Sequence, residues 1–175
     1  MKELITPISK ESIKTLIPGE QVLLSGNIYT GRDAVLPKIV ELIKIGRLDT
    51  IGINLEGSVI FHTAVSPAGV GPTSSNKLDI ESSTPVLSKA GVRLHLGKGR
   101  LKKETIHNLN EECSAYATLP PVTALLASKI VEQRIVAFPE EGMEAMYELK
   151  VDKIPIIIAA VNGKTLSEEE AESCQ

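Results

Sequence analysis

Three short stretches of the 175-residue chain combine glycine with a cation in a pattern suited to holding an anion. They are Tyr29-Thr30-Gly31-Arg32-Asp33, Gly69-Val70-Gly71-Pro72-Thr73-Ser74-Ser75-Asn76-Lys77, and Leu96-Gly97-Lys98-Gly99. Glycine lets backbone N–H groups close on an anion, and Arg or Lys neutralises it. Each stretch follows a segment of strand-forming residues, and α/β sheets bind ligands beyond the carboxyl ends of their strands. Together, three such loops would make a site for a small dianion. Taken singly, each also reads as a turn with a solvated cation.

Several sharper chemistries are excluded by spacing. Five residues separate Gly91 from Gly97-Lys98, and Gly99 stands where a P-loop needs Ser or Thr. Gly69-Val70-Gly71 is followed by Ser74 where a dinucleotide fingerprint needs its third glycine. His62, His95 and His107 lie far apart with no paired-ligand spacing, so no metal site is legible. His62 and His95 fall inside strand patterns and read as core or sheet-face residues. Thr73, Ser74 and Ser75 carry nucleophilic hydroxyls, but no neighbouring base is placed by sequence, and turn formation is the plainer role.

The loops need a scaffold, and the hydrophobic pattern supplies one. Gln21–Thr30 and residues 58–62 read as strands, and Leu36, Ile39, Val40 and Ile43 mark one face of a helix ending at Gly46. Residues 63–76 show no periodicity. A helix is expected over residues 85–90, a strand over 92–96 and a polar helix over 102–112. A strand over 114–118, a helix over 121–133 and a strand over 135–138 follow. The pattern closes with a helix over 140–149 and a buried strand over 154–161. Ser9 is placed to cap a short helix ended by Pro18-Gly19, and Asn162-Gly163 is a hairpin signal. Strands alternating with helices predict an α/β fold with a mixed sheet.

Composition narrows the function classes. Lys and Arg number 19 against 22 Asp and Glu, a net charge of −3, which argues against nucleic-acid binding. Aromatic residues make up only 3% and Trp is absent, so base-stacking platforms are not expected. The longest wholly apolar run is eight residues, against the ~20 that span a bilayer, and the first residues carry no apolar signal segment. Cys113 and Cys174 read as reduced thiols, and the expected location is cytoplasmic. The expected organisation is one domain over residues 1–166 and an acidic tail over 167–175.

The three loops, in this order, resemble the C-terminal domain of class I iron–sulfur fumarases. The same domain is the beta subunit of two-subunit fumarases and of L-tartrate dehydratase. The resemblance is carried by Ser25-Gly26-Asn27-Ile28-Tyr29-Thr30-Gly31-Arg32-Asp33-Ala34, by Gly71-Pro72-Thr73-Ser74-Ser75-Asn76-Lys77-Leu78-Asp79, and by Gly97-Lys98-Gly99. The segment Phe138-Pro139-Glu140-Glu141-Gly142-Met143-Glu144 adds to it, and the likeness runs from about Ile5 to Lys164.

The resemblance implies a swivelling β/β/α domain that closes over a site carried by a partner alpha subunit. The partner would bring a [4Fe-4S] cluster on its own cysteines, and this chain would bind no metal. The reaction implied is reversible hydration of a four-carbon dicarboxylate, fumarate to malate, or tartrate dehydration. Arg32, Lys77 and Lys98, with Gly97 and Gly99, would hold the substrate, and Thr73 would take the C3 proton. Cys113 does not match a cluster ligand. Three departures stand out: Ala34-Val35-Leu36-Pro37-Lys38 replaces the family's Ala-Ala-His-Lys-Arg, Lys77 replaces Arg, and Pro120-Pro121 replaces Gly-Gly. A lysine there loses the bidentate clamp of an arginine. Two other readings are consistent with these residues: a stand-alone organic-anion-binding domain without catalysis, and a subunit that only completes an assembly.

Overall fold

The computed structural model describes residues 1–66, 69–73, 77–120 and 123–166, with the backbone alone for residues 72, 73, 77–79, 123 and 124. The chain runs β1 (Lys2–Ile5), α1 (Lys10–Lys14), β2 (Gln21–Thr30), α2 (Leu36–Lys44), β3 (Val59–Phe61), β4 (Thr63–Ser66) and β5 (Gly69–Thr73). It continues with α3 (Lys77–Lys89), β6 (Leu94–Gly97), α4 (Lys103–Glu111), β7 (Ala115–Thr118), α5 (Thr123–Ser128), β8 (Ile130–Ala137), β9 (Met146–Val161) and β10 (Lys164–Thr165). Short 3₁₀ turns occupy Leu48–Ile51 and Pro139–Glu144.

Four strands, β2, β3, β6 and β7, lie side by side and parallel. The 16-residue β9 runs antiparallel and pairs with both outer members, β7 and β2, so the pairings close into a ring. Alternation along the strands divides their side chains. Val22, Leu24, Ile28, Val59, Phe61, Leu94, Leu96, Ala115 and Ala117 meet Leu149, Val151, Ile154, Ile156 and Ile158 of β9 in one apolar core. Side chains of the opposite parity pack under the helices: Ile60 joins Leu36, Ile39, Val40 and Leu87, and Tyr116 joins Leu109 and Ala160. This is the mixed α/β architecture, a central sheet flanked by helices, that the alternating pattern predicts.

Local signals explain several boundaries. Ser9 caps α1, its Oγ accepting the Ser12 N–H at 3.1 Å. Asn162 and Gly163 both take positive φ, 53° and 77°, and turn β9 into β10 as an Asn-Gly hairpin should.

Other boundaries differ from expectation. The patternless stretch after His62 contains a two-stranded hairpin, β4 paired with β5. The helix expected from residue 85 begins eight residues earlier at Lys77, with Pro85 inside it. The helix expected over 121–133 is short, Thr123–Ser128, and the following strand starts at Ile130; residues 121 and 122 lie outside the described residues. The helix expected over 140–149 is a 3₁₀ turn, after which β9 begins at Met146. Phe138 at φ 54° and Gly142 at φ 60° break any regular helix there. The N-terminal strand β1, unpredicted, adds in parallel to β2. The acidic tail, residues 167–175 with Cys174, lies outside the described residues.

Candidate active site

Parallel strands deliver their carboxyl ends to one edge, and the register states what arrives there. Thr30 stands beside Phe61 and Phe61 beside Leu96, so these three positions share a level across β2, β3 and β6. Two residues on, the chain leaves the sheet at Arg32, Thr63 and Lys98. Backbone bonds hold these exits in place: the Gly31 N–H donates to the Phe61 carbonyl at 3.0 Å and the His62 N–H to the Leu96 carbonyl at 2.9 Å. Thr63 in turn faces Thr73 across the β4–β5 hairpin. Adjacent strands are about 4.8 Å apart, so the exits at Arg32 and Lys98 are separated by roughly 10 Å. Thr73 is brought to the same edge by way of Thr63, and Lys77 opens α3 four residues later. The side chains of Thr73 and Lys77, and all of Ser74, Ser75 and Asn76, lie outside the described part of the structure.

Two glycines of this edge are there because buried side chains pack directly against their backbone. A Cβ on Gly97 would meet the Tyr116 hydroxyl oxygen at 2.6 Å, and one on Gly31 would meet Leu36 Cδ2 at 2.7 Å. Neither neighbour can retreat easily, because Tyr116 is 2% and Leu36 3% exposed. Gly99 differs, with φ at 85°, where a side chain is strained whatever the space. The loop Gly97-Lys98-Gly99 is therefore shaped by its glycines, and Lys98 between them is exposed.

Arg32 is not a free cation. Its Nε lies 3.6 Å from Glu144 Oε1, and that Nε is buried without a hydrogen bond. Lys38, on α2, pairs with Glu141 and Glu140 of the same 3₁₀ turn, and the Glu141 hydrogen bond raises its pKa. The 139–144 segment thus lies against the Arg32 loop as an acidic flank. Leu36, at the place of the family's histidine, is buried against Ile39 and Val40 and brings no polar group to the edge.

Two features here escaped sequence reasoning: the contact between two histidines already read as core or sheet-face residues, and a buried carboxylate. His62 and His95 are both fully buried, with His62 Nε2 3.4 Å from His95 Nδ1 and Ser88 Oγ 2.8 Å from His95 Nε2. Burial lowers the His62 pKa to about 4, and burial together with the His62 charge holds His95 well below its usual value. The second feature is Glu81, a buried carboxylate of α3 that bonds the chain at the end of the Lys98 loop. A single Glu inside a polar helix carries no sequence signal of burial.

Among the described residues no three His, Cys, Asp or Glu side chains converge on a point where a metal could bind, and Cys113 is the one cysteine they include. An iron–sulfur cluster held by thiolates therefore does not fit the described residues of this chain.

Comparison with known proteins places the architecture. A family model described as Fumarase C-terminus matches residues 2–168. The chain belongs to the fumarase C-terminus family. A Methanocaldococcus jannaschii protein provisionally named L(+)-tartrate dehydratase subunit beta is 30% identical, the alignment covering 97% of this chain and 92% of that one. The L(+)-tartrate dehydratase subunit beta of Escherichia coli K12 is 26% identical over 92% of this chain and 83% of its own. The anaerobic class I fumarate hydratase of the same organism is 28% identical over 90% of this chain but only 29% of its own length. Family membership agrees with the resemblance carried by the three loops. Among the described residues, no helix is long and apolar enough to cross a membrane.

Proposed function

We propose that this chain is the beta subunit of an iron–sulfur hydro-lyase, working in the cytoplasm with an alpha subunit and reversibly hydrating a four-carbon dicarboxylate. Residues 1–166 form its swivelling domain. The observation that carries the reading is the register that takes Arg32, Thr63 with its partner Thr73, and Lys98 to one edge of the parallel strands. Family membership and two relatives named as beta subunits, matched over 92% and 83% of their own length, support it.

The division of labour follows from the chemistry. Removing a proton beside a carboxylate puts charge on the carboxylate oxygens, and fixed cations stabilise that charge in the transition state. Arg32, Lys77 and Lys98 are the cations this chain offers, with the amides of Gly97 and Gly99 at the substrate carboxylate that Lys98 holds. Thr73, as the alkoxide that the surrounding positive charge favours, takes the C3 proton and becomes the neutral hydroxyl. A cluster borne by the alpha subunit supplies Lewis-acid activation of the hydroxyl when bound. Closing the two chains on each other dries the site and strengthens every one of these interactions.

Co-expression with a candidate alpha subunit under anaerobic conditions, assayed on fumarate, malate and the tartrate isomers, tests the reading. Turnover of one of them by the pair, and by neither chain alone, is expected. Saturable dicarboxylate binding without turnover of any substrate would instead favour an anion-binding domain.

A further inference from the structure

Among the described residues the Lys98 side chain makes no hydrogen bond or ion pair, and it is exposed. Where its ammonium stands is therefore decided by the two ends of its loop. One end, Gly97, is fixed by the β6–β7 ladder, where it faces Thr118, and by the Tyr116 ring beneath it. The other end is Lys102, which precedes the first turn of α4 and has no side-chain cap of its own.

That second end is held from another element. Glu81, on α3, is 9% exposed. Its Oε1 accepts the backbone N–H of Lys102 and, at 3.1 Å, the hydroxyl of Thr105, while its Oε2 lies 3.9 Å from the Lys102 ammonium. A carboxylate accepting a backbone amide at a helix start is both a strong hydrogen bond and a favourable partner for the helix dipole. Glu81 lies one helical turn after Lys77, the first residue of α3. One side chain thus ties the helix that begins at Lys77 to the loop that carries Lys98. Glu81 Oε2 and the Tyr116 hydroxyl are buried without hydrogen bonds, and burial, with the Glu81 charge adding to it, raises the Tyr116 pKa.

We propose that Glu81 is a positioning residue that sets the distance between Lys77 and Lys98, and so the spacing of the two cations that hold the substrate's carboxylates. The inference rests on the hydro-lyase reading for its effect on substrate, while its effect on the loop stands independently. A rigid dicarboxylate requires its cations at a fixed separation, and a misplacement of about 1 Å costs up to 10²-fold in rate or grip. Gln at position 81 keeps an oxygen acceptor for Lys102 and Thr105; Ala keeps none.

Two measurements test this. In the chain by itself, amide hydrogen exchange over residues 98–102 is expected to speed up at least about tenfold in Glu81→Ala and to stay within about threefold in Glu81→Gln. In the reconstituted pair, Glu81→Ala is expected to raise KM about tenfold with kcat falling less. That effect should vanish when Lys98 is already Ala, because Glu81 acts through Lys98. A helix cap with no further role would weaken both backgrounds equally, and multiplicative losses in the double variant overturn the proposal. So does unchanged exchange in Glu81→Ala. If the wild-type pair turns over no dicarboxylate, the hydro-lyase reading fails, and the exchange measurement alone decides whether Glu81 holds the loop. Should Glu81→Ala not fold, Glu81→Asp, which withdraws the carboxylate by one methylene, is expected to show the same pattern at about threefold.

Discussion

The imidazoles of His62 and His95 face each other across 3.4 Å, ring planes 25° apart, with no exposure of either residue. One hydrogen serves the contact between them, so the pair is at home neutral. The unfolded chain takes a proton on each near pH 6.5, whereas folded His62 resists until about pH 4 and His95 resists as well. Their folded pKa values lie below the unfolded ones. The stabilisation is therefore complete above about pH 6.5 and is lost as pH falls toward 4. Two protons excluded by the native state make the pH slope inside that window steeper than either histidine alone would give. Melting curves from pH 7 to 5 should show Tm falling, with a smaller fall in His95→Asn. A Tm unchanged over that range would contradict the neutral pair.

Gly97→Ala puts a methyl group 2.6 Å from the Tyr116 hydroxyl oxygen. Overpacking of this kind costs about 1–3 kcal/mol, so the melting temperature should drop by several degrees. Tyr116→Phe removes the atom in closest conflict. The double variant should therefore recover part of the loss, although ring carbons still stand 3.0 and 3.2 Å away. Equal melting temperatures for the single and double variants would show that the clash is relieved elsewhere.

Glu144 is a carboxylate already seated at Arg32, with their side chains 38% and 28% exposed. A substrate carboxylate must compete with it. In the reconstituted pair, Glu144→Gln should lower KM by about two- to fivefold with kcat unchanged, and the gain should shrink at high salt. A raised KM would mean that Glu144 orients Arg32 rather than competing for it.

Thr73 separates chemistry from binding. If its alkoxide takes the C3 proton, Thr73→Ala lowers kcat by about 10²–10⁴-fold without a matching rise in KM. Thr73→Ser, which keeps the hydroxyl, should retain most activity. A kcat within about threefold of wild type for Thr73→Ala would remove it from the reaction and leave this chain a binding lid.

The sequence made the site's loops readable because glycine and cation lie adjacent in each, and it made the core strands readable because apolar residues cluster in them. It concealed what depends on distant partners. The strand β8 has the burial of a surface segment, with Val131 60% and Ile135 46% exposed, and is a strand because β9 offers it an edge. The segment before Met146 has helix-forming composition, but Phe138 and Gly142 take positive φ within it. Pro85 suggested a helix start, yet α3 carries it internally, with the Ser83 and Thr84 hydroxyls both donating to the Ile80 carbonyl in that turn. The burial of Glu81 and the pairing of the two core histidines were hidden for the same reason: both are set by tertiary contacts that no local pattern announces.

The ring closed by β9 has a consequence for biosynthesis. Gln21 pairs with Ile157 and Tyr29 with Glu148, positions more than a hundred residues apart along the chain. At translation speeds of about 5–20 residues per second, β2 waits roughly ten seconds for its closing strand. Throughout that interval β2 presents an unpaired edge to the surrounding solution, joined late in it by β7, the condition under which nascent chains pair with the wrong neighbour. The late-made β9 thus decides both when the ring can close and how long the domain stays vulnerable to aggregation.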